Sequence, residues 1–116
     1  MSLSNNNCVT VPEDGLYQII SQITFGFDGN TKRNVAAQSI TVKRRDTRLT
    51  ELIQKKVVPV PFRDPNLHPS EKVVVSSNLL TFVRARVGDE ICVNVHPVEL
   101  VYVSEVENAL TVELKL

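Results

Sequence analysis

The most constraining feature of the sequence is a turn that runs directly into a long alternating segment. Residues 12–15 read Pro-Glu-Asp-Gly, in which proline fixes its own φ and glycine tolerates a positive φ. From there to Phe25, a nearly continuous apolar face alternates with a mixed face that includes glutamines. Period-two alternation is typical of a β-strand with one buried face. We therefore expect a core strand whose second face is covered by a less apolar surface, such as a subunit contact.

The length of the sequence and its balance of charges indicate one domain with no net charge. The chain has 116 residues, with 13 basic and 13 acidic side chains, so no net field recruits nucleic acid or anionic lipid. No apolar run approaches the ~20 residues of a membrane helix, and no secretory signal opens the sequence. Residues 1–7 are interpreted as a polar lead-in or an added start, and residues 8–116 as the domain. An extracellular role would require an anchor or signal outside these residues.

Strand patterns dominate the rest of the chain. Residues 26–30 and the proline-punctuated segment 59–70 are predicted as loops. Residues 49–56 also fit two helical turns, but we favour a strand because valines continue the segment to Val60. The pattern predicts a sandwich or jelly roll with no helix longer than two turns. The other predicted strands are 8–11, 37–43, 72–76, 79–87, 90–95 and 109–116.

Residues that could carry out chemistry are few. The histidines, His68 and His96, have no carboxylate partner at a recognisable spacing, and a metal site requires three or four converging ligands. We predict no cofactor, no metal and no enzymatic activity. Cys8 and Cys92 form either a disulfide, which suits an oxidising compartment, or two free thiols that act as small apolar side chains.

Two segments resemble a known family. The step Asp14-Gly15-Leu16-Tyr17 running into Ser21-Gln22-Ile23-Thr24-Phe25 is similar to the third main strand of the tumour necrosis factor ligand family. Residues 82–95, with Gly88-Asp89 at their turn, and the closing residues 96–101 and 108–116 continue the resemblance. Within the family, the sequences of these segments are most similar to the Fas ligand branch and its vascular endothelial relative. The resemblance extends from about Cys8 to Leu116 and is weak between residues 30 and 78.

The resemblance implies a fold and a function. The fold would be a jelly-roll β-sandwich of two antiparallel sheets. The chain would act as an extracellular homotrimeric cytokine of immune signalling, secreted or shed from a type II membrane protein. It would bind and cluster cysteine-rich receptors of the tumour necrosis factor receptor family, without a nucleic acid or a small-molecule substrate. Two alternatives stay open: a complement-type globular head that recognises diverse ligands, and a structural assembly jelly roll.

The resemblance also implies two sets of site residues. The basic cluster around residues 43–48 would be a receptor-contact loop, although a solvated turn explains it equally simply. We expect its arginines to be exposed, with Asp46 as their only acidic neighbour. The receptor-contact residues would be Arg44, Arg45, Asp46, Arg48, Glu99, Leu100 and Tyr102. The trimer interface would include Tyr17, Asn78, Phe82 and Leu110.

The chain also departs from the family. It has arginines where the contact loop often has a tyrosine, Asn78 where an aromatic is frequent, and Leu110-Thr111 where Phe-Gly is frequent. Seven lead residues are too few for the family's first strands, so the chain is either trimmed or a reduced sandwich. In the family, the bridge seen in several members joins loops that neither Cys8 nor Cys92 occupies. On that ground we predict two free thiols.

Overall fold

The computed structural model describes residues 8–29, 35–61, 63–96, 100–101 and 109–116. Within these ranges none of the residues lies in an α-helix, and no helix long and apolar enough to cross a membrane occurs. Seven strands are formed: β1 Cys8–Thr10, β2 Gly15–Phe27, β3 Val35–Lys43, β4 Thr50–Pro59, β5 Val73–Ala85, β6 Glu90–His96 and β7 Ala109–Leu114.

The strands form two antiparallel sheets that face each other. The four-stranded sheet has the order β1-β6-β3-β4, and the three-stranded sheet has the order β5-β2-β7. Successive strands β2 and β3 lie in different sheets. The predicted jelly-roll β-sandwich of two antiparallel sheets is confirmed.

Strand β2 occupies the centre of the three-stranded sheet. It pairs with β5 from Gly15↔Ala85 to Phe27↔Val73, and with β7 from Tyr17↔Leu114 to Gln22↔Ala109. Its odd-numbered side chains from Tyr17 to Phe25 are buried against the other sheet, as the alternation predicted. At its start, a Cβ on Gly15 would lie 2.3 Å from the carbonyl oxygen of Leu116, so the end of the chain requires glycine there.

The described strands differ from the sequence prediction mainly in β2 and β5. Residues 26 and 27 continue β2 instead of starting a loop, because Gly26 and Phe27 pair with Val74 and Val73. The predicted strands 72–76 and 79–87 are one continuous strand, β5. The strand interpretation of residues 49–56 is correct: they lie mostly in β4, an edge strand that pairs with β3 alone. No described residue between Pro59 and Val73 is in a strand, as the prolines predicted.

The core lies between the sheets and contains one polar cluster. Gln38 of β3 accepts a hydrogen bond from the hydroxyl of Ser21 at 2.6 Å and donates to the carbonyl and hydroxyl oxygens of Ser77 at 2.9 and 2.8 Å. All three residues are buried, and the amide thus links the two sheets. The surrounding apolar core is Val11, Tyr17, Ile19, Ile23, Phe25, Phe27, Ala36, Ile40, Val42, Val58, Leu79, Val83, Ala85, Ile91 and Val93.

The prediction of two free thiols is wrong. Cys8 and Cys92 form a disulfide between β1 and β6. The two residues are direct partners in that antiparallel pair, with a Cα–Cα distance of 4.1 Å. Their separation of 84 residues hides this register in the sequence, and comparison with the family's usual bridge positions gave the wrong answer. The bond indicates an oxidising compartment.

Candidate functional site

A short basic loop, residues 44–49, joins β3 to β4 at one end of the sandwich. The N–H of Arg44 donates to the carbonyl of Leu49 at 2.9 Å, and the N–H of Arg48 donates to the carbonyl of Arg44 at 2.8 Å. Arg48 has a positive φ of 58°, and the hydroxyl of Thr47 accepts from the N–H of Leu49 at 3.2 Å. These bonds give the loop a defined shape, and from Arg45 to Leu49 its residues are exposed.

A buried carboxylate from the neighbouring β5–β6 turn holds this loop. Asp89 is only 3% exposed. Its Oδ1 accepts from the N–H of Arg45 at 2.9 Å, and its Oδ2 accepts from the N–H of Arg86 at 3.0 Å and from the Arg44 guanidinium at 3.1 Å. Burial raises the pKa of Asp89, but the hydrogen bonds from Arg86, Arg45 and Arg44 outweigh it and hold the pKa below its usual value.

Arg44 has a structural role that differs from the exposed contact expected of it. Its side chain is half-buried, and besides Asp89 it contacts Glu51 at 3.0 Å and donates to the carbonyl of Arg84 at 2.9 Å. The hydrogen bond to Glu51 is the main cause that raises the pKa of Arg44. The expectation that Asp46 is the only acidic neighbour of these arginines is therefore wrong. Asp46 pairs instead with Arg86, at 3.4 Å and in solvent.

The loop separates two surface depressions. The first, which we call the basic cleft, has a volume of about 290 Å³ and is lined by Lys43, Arg44, Arg45, Arg48, Gly88 and Glu90. The second, which we call the mixed groove, has a volume of about 580 Å³. Acidic and basic side chains share its lining, among them Asp14, Asp46, Glu51, Arg84 and Arg86. The loop tip thus presents charge on both of its sides.

The outward side of the three-stranded sheet carries exposed apolar side chains. Phe82 and Leu80 of β5 are 52% and 53% exposed, and Ile20 of β2 is 41% exposed. Ile20 and Leu80 are direct partners across the strands, and Phe82 lies beside Gln18 in the same register. We call this surface, with the exposed Val74, the apolar outer face. Contiguous exposed apolar patches on a sheet are typical of interaction surfaces.

The four residues predicted for the trimer interface divide between the two sides of one sheet. Phe82 and Asn78 are exposed on its outward side. Tyr17 is buried in the core, where its hydroxyl donates to the carbonyl of Glu13 at 2.6 Å. Leu110 is half-buried, pairs with Ser21 and packs against the same core. Sequence reasoning missed Ile20 and Leu80, although the same alternation that buries Tyr17 places Ile20 on the outward side.

The predicted receptor-contact residues that the structure describes do not come together within one chain. Arg44, Arg45, Asp46 and Arg48 lie near the Gly15 end of β2, whereas Leu100 lies next to Val101, which bridges to Phe25 near the other end. At ~3.3 Å per residue, Gly15 and Phe25 are roughly 30 Å apart. Leu100 is half-buried against the core. Glu99 and Tyr102 lie outside the described residues.

One group of possible metal ligands occurs among the described residues. Ligand atoms of Cys8, Glu90 and Cys92 lie within 4.8 Å of one another. The two sulfurs are bonded to each other, and a disulfide sulfur is not the thiolate that metals bind. The group is therefore explained by the cross-strand bond.

Comparison with known proteins assigns the chain to one family. The profile of the TNF (Tumour Necrosis Factor) family matches residues 1–112. The chain belongs to the tumour necrosis factor family. A search of curated proteins found no match.

Membership gives the chain a general function. It is a TNF-type cytokine ligand domain, and it is not an enzyme. Ligands of the TNF family are extracellular ectodomains, and in general they trimerise and bind TNF receptors. Trimerisation and receptor binding are therefore the interactions to consider for the apolar outer face and the basic loop.

Proposed function

We propose that this TNF-family chain is a homotrimeric cytokine of the Fas ligand and vascular endothelial ligand branch, which clusters cysteine-rich receptors. The single observation that carries the proposal is the apolar outer face, where Ile20, Leu80 and Phe82 are between 41% and 53% exposed. Side chains of this size gain ~1.5–3 kcal/mol on burial from full exposure, so burying the exposed half of each would contribute roughly half of that. Because ligands of the family generally trimerise, a second and a third copy of the chain are the partners that we propose for this face.

The trimer contact would run along β5 and β2. Phe82 and Asn78, predicted from the sequence, would touch the neighbouring protomers together with Ile20 and Leu80. Tyr17 and Leu110 would support the interface from beneath by fixing the sheet on the core. Closed threefold symmetry would bury the same face on all three protomers and leave the ends of each sandwich open.

Receptor contacts would then come from two protomers at each boundary. The loop residues Arg45, Asp46 and Arg48 would come from one protomer, and the segment 99–102 from its neighbour. This arrangement would explain why Leu100 lies far from the loop residues within one chain. Exposed arginines can steer and hold an acidic receptor module by charge and bidentate hydrogen bonds. Signalling would result from multivalent clustering at the surface of a receptor-bearing cell, without chemistry.

The loop proposal is tested by exchanging Arg45 and Arg48 for alanine together. Arg44 is left in place because it holds the loop through Asp89 and Glu51. Binding is measured against a panel of cysteine-rich receptor ectodomains at low and high salt. We expect a loss of roughly tenfold in affinity for the cognate receptor, mainly in the association rate and smaller at high salt. The matched control is Lys55→Ala with Lys72→Ala, which removes the same charge from exposed residues outside the loop, the mixed groove and the apolar outer face. Unaltered rates in the loop variant at low salt would show that the loop is only a solvated turn.

A further inference from the structure

The basic cleft has the composition of an anion-binding site. Four cationic side chains, those of Lys43, Arg44, Arg45 and Arg48, line it with one acidic residue, Glu90. We propose that the basic cleft binds sulfate groups of an acidic extracellular polysaccharide, an activity that goes beyond receptor binding and does not require it.

The cations of the cleft are available to a ligand. The guanidinium of Arg44, which also lines the cleft, is occupied by Glu51 and Asp89. By contrast, the side chains of Lys43, Arg45 and Arg48 form no salt bridge with any residue in the described ranges. Glu90 is half-buried and lies opposite Lys43 in the β3–β6 register. The balance of three cations against one carboxylate gives a local positive potential on a chain whose net charge is zero.

The Arg45 side chain and the backbones of Arg45 and Arg48 have defined positions before any ligand arrives. Gly88 has a φ of +90°, and a Cβ there would lie 2.4 Å from Cδ of Arg45, so the arginine side chain lies across the glycine. The backbone of Arg45 is fixed by Asp89, and that of Arg48 by the carbonyl of Arg44. Pre-organised side chains lose less entropy on binding, which favours affinity.

The chemistry of the cleft favours sulfate carried on a polymer. Arginine presents a planar fork that bonds two oxygens of one oxyanion at once. The cleft is an open depression of about 290 Å³. A polysaccharide can therefore cross it and place successive sulfate groups against Lys43, Arg45 and Arg48. The Cys8–Cys92 disulfide indicates an oxidising compartment outside the cytosol, where sulfated polysaccharides are the abundant polyanions. A phosphate group shares the same oxyanion chemistry, so the test includes it.

The test measures heparin binding to the intact protein by calorimetry at about 0.15 M salt. We expect the triple variant Lys43→Ala, Arg45→Ala and Arg48→Ala to bind at least tenfold more weakly than the natural sequence. A matched triple variant, Lys55→Ala, Lys72→Ala and Lys115→Ala, loses the same charge from exposed residues outside the cleft and should bind within about twofold of the natural sequence. Equal losses in the two triple variants, or no heparin binding by the natural sequence, would overturn the proposal.

Further binding measurements identify the anion and distinguish this site from the proposed receptor surface. Desulfated heparin, inorganic phosphate and duplex DNA should each bind more weakly than heparin, and equal or tighter binding of any of them would contradict a sulfated polysaccharide. Lys43 is outside the proposed receptor contacts, so Lys43→Ala alone should weaken heparin binding by roughly threefold and leave receptor binding unchanged. This variant also replaces the triple variant if the latter does not fold. Unchanged heparin binding by Lys43→Ala would count against the cleft.

Discussion

The backbone N–H of Arg45 donates to Oδ1 of Asp89 over 2.9 Å, and this bond joins the β3–β4 loop to the β5–β6 turn. The same carboxylate also accepts from the N–H of Arg86 and from the guanidinium of Arg44. One buried group thus determines the shape of the loop that we propose for receptor contact. We therefore expect changes at Asp89 to affect both stability and the proposed receptor binding.

Asp89→Asn should lower the free energy of unfolding by about 2 kcal/mol. An asparagine can still accept from Arg45 with its oxygen, but its amide nitrogen would face the N–H of Arg86 and the Arg44 guanidinium. Urea denaturation measures the change. The matched control is Asp46→Asn, which breaks an exposed pair and should change the free energy by less than about 0.5 kcal/mol. Equal stability of Asp89→Asn and the natural sequence would show that the carboxylate does not hold the loop.

Stability should also fall in acid, because the pKa of Asp89 is lower in the folded chain than in the unfolded one. The unfolded aspartate binds a proton near pH 3.9. The contribution of Asp89 is therefore fully present above about pH 4 and is lost as the pH falls through the lowered folded value. Denaturation curves at a series of pH values should show a smaller decline for Asp89→Asn. Parallel declines in both proteins would assign the acid sensitivity to other carboxylates.

Gln38→Ala should lower the free energy of unfolding by about 2–4 kcal/mol. The change removes the amide that joins Ser21 of one sheet to Ser77 of the other, and it leaves both serines buried beside a cavity. Gln54→Ala, on the exposed surface of β4, is the control and should be nearly neutral. A neutral Gln38→Ala would indicate that the two sheets do not depend on this contact.

Local patterns in the sequence predicted much of the fold. The alternation of β2 and the prolines from Pro59 onward act over a few neighbouring residues, and each is visible in the sequence. Contacts between distant strands could not be predicted in this way. Cys8 opposite Cys92, and Gln38 between Ser21 and Ser77, depend on the register of strands far apart in the chain.

The candidate site shows the same division between local and distant information. The basic cluster was visible as a run of charge, and its position came from the family resemblance. The roles of its members were not visible, because Arg44 is distinguished from Arg45 by its side-chain contacts with Glu51, Arg84 and Asp89. The last two lie 40 and 45 residues further along the chain. Ile20 and Leu80 were overlooked as interface residues, although their positions on the outward side follow from the strand period.

The cross-strand disulfide should be found in protein purified without reductant. Thiol titration under denaturing conditions should detect no free thiol until a reductant is added, and two thereafter. Exchanging both cysteines for serine should lower the free energy of unfolding by about 2–4 kcal/mol, mainly because the unfolded chain is no longer cross-linked. Two thiols in the untreated protein would restore the sequence prediction and remove the support for an oxidising compartment.

The molar mass in solution tests most directly the claim that this domain is a trimeric ligand. Light scattering on the natural sequence at micromolar concentration should give three times the 13.0 kDa of one chain. Phe82→Asp places a charge in the proposed contact and should give the mass of a single chain, while Leu52→Asp, on the exposed surface of β4, should leave the trimer intact. A natural chain with a monomeric mass, or a Phe82→Asp variant that stays folded and trimeric, would contradict the account.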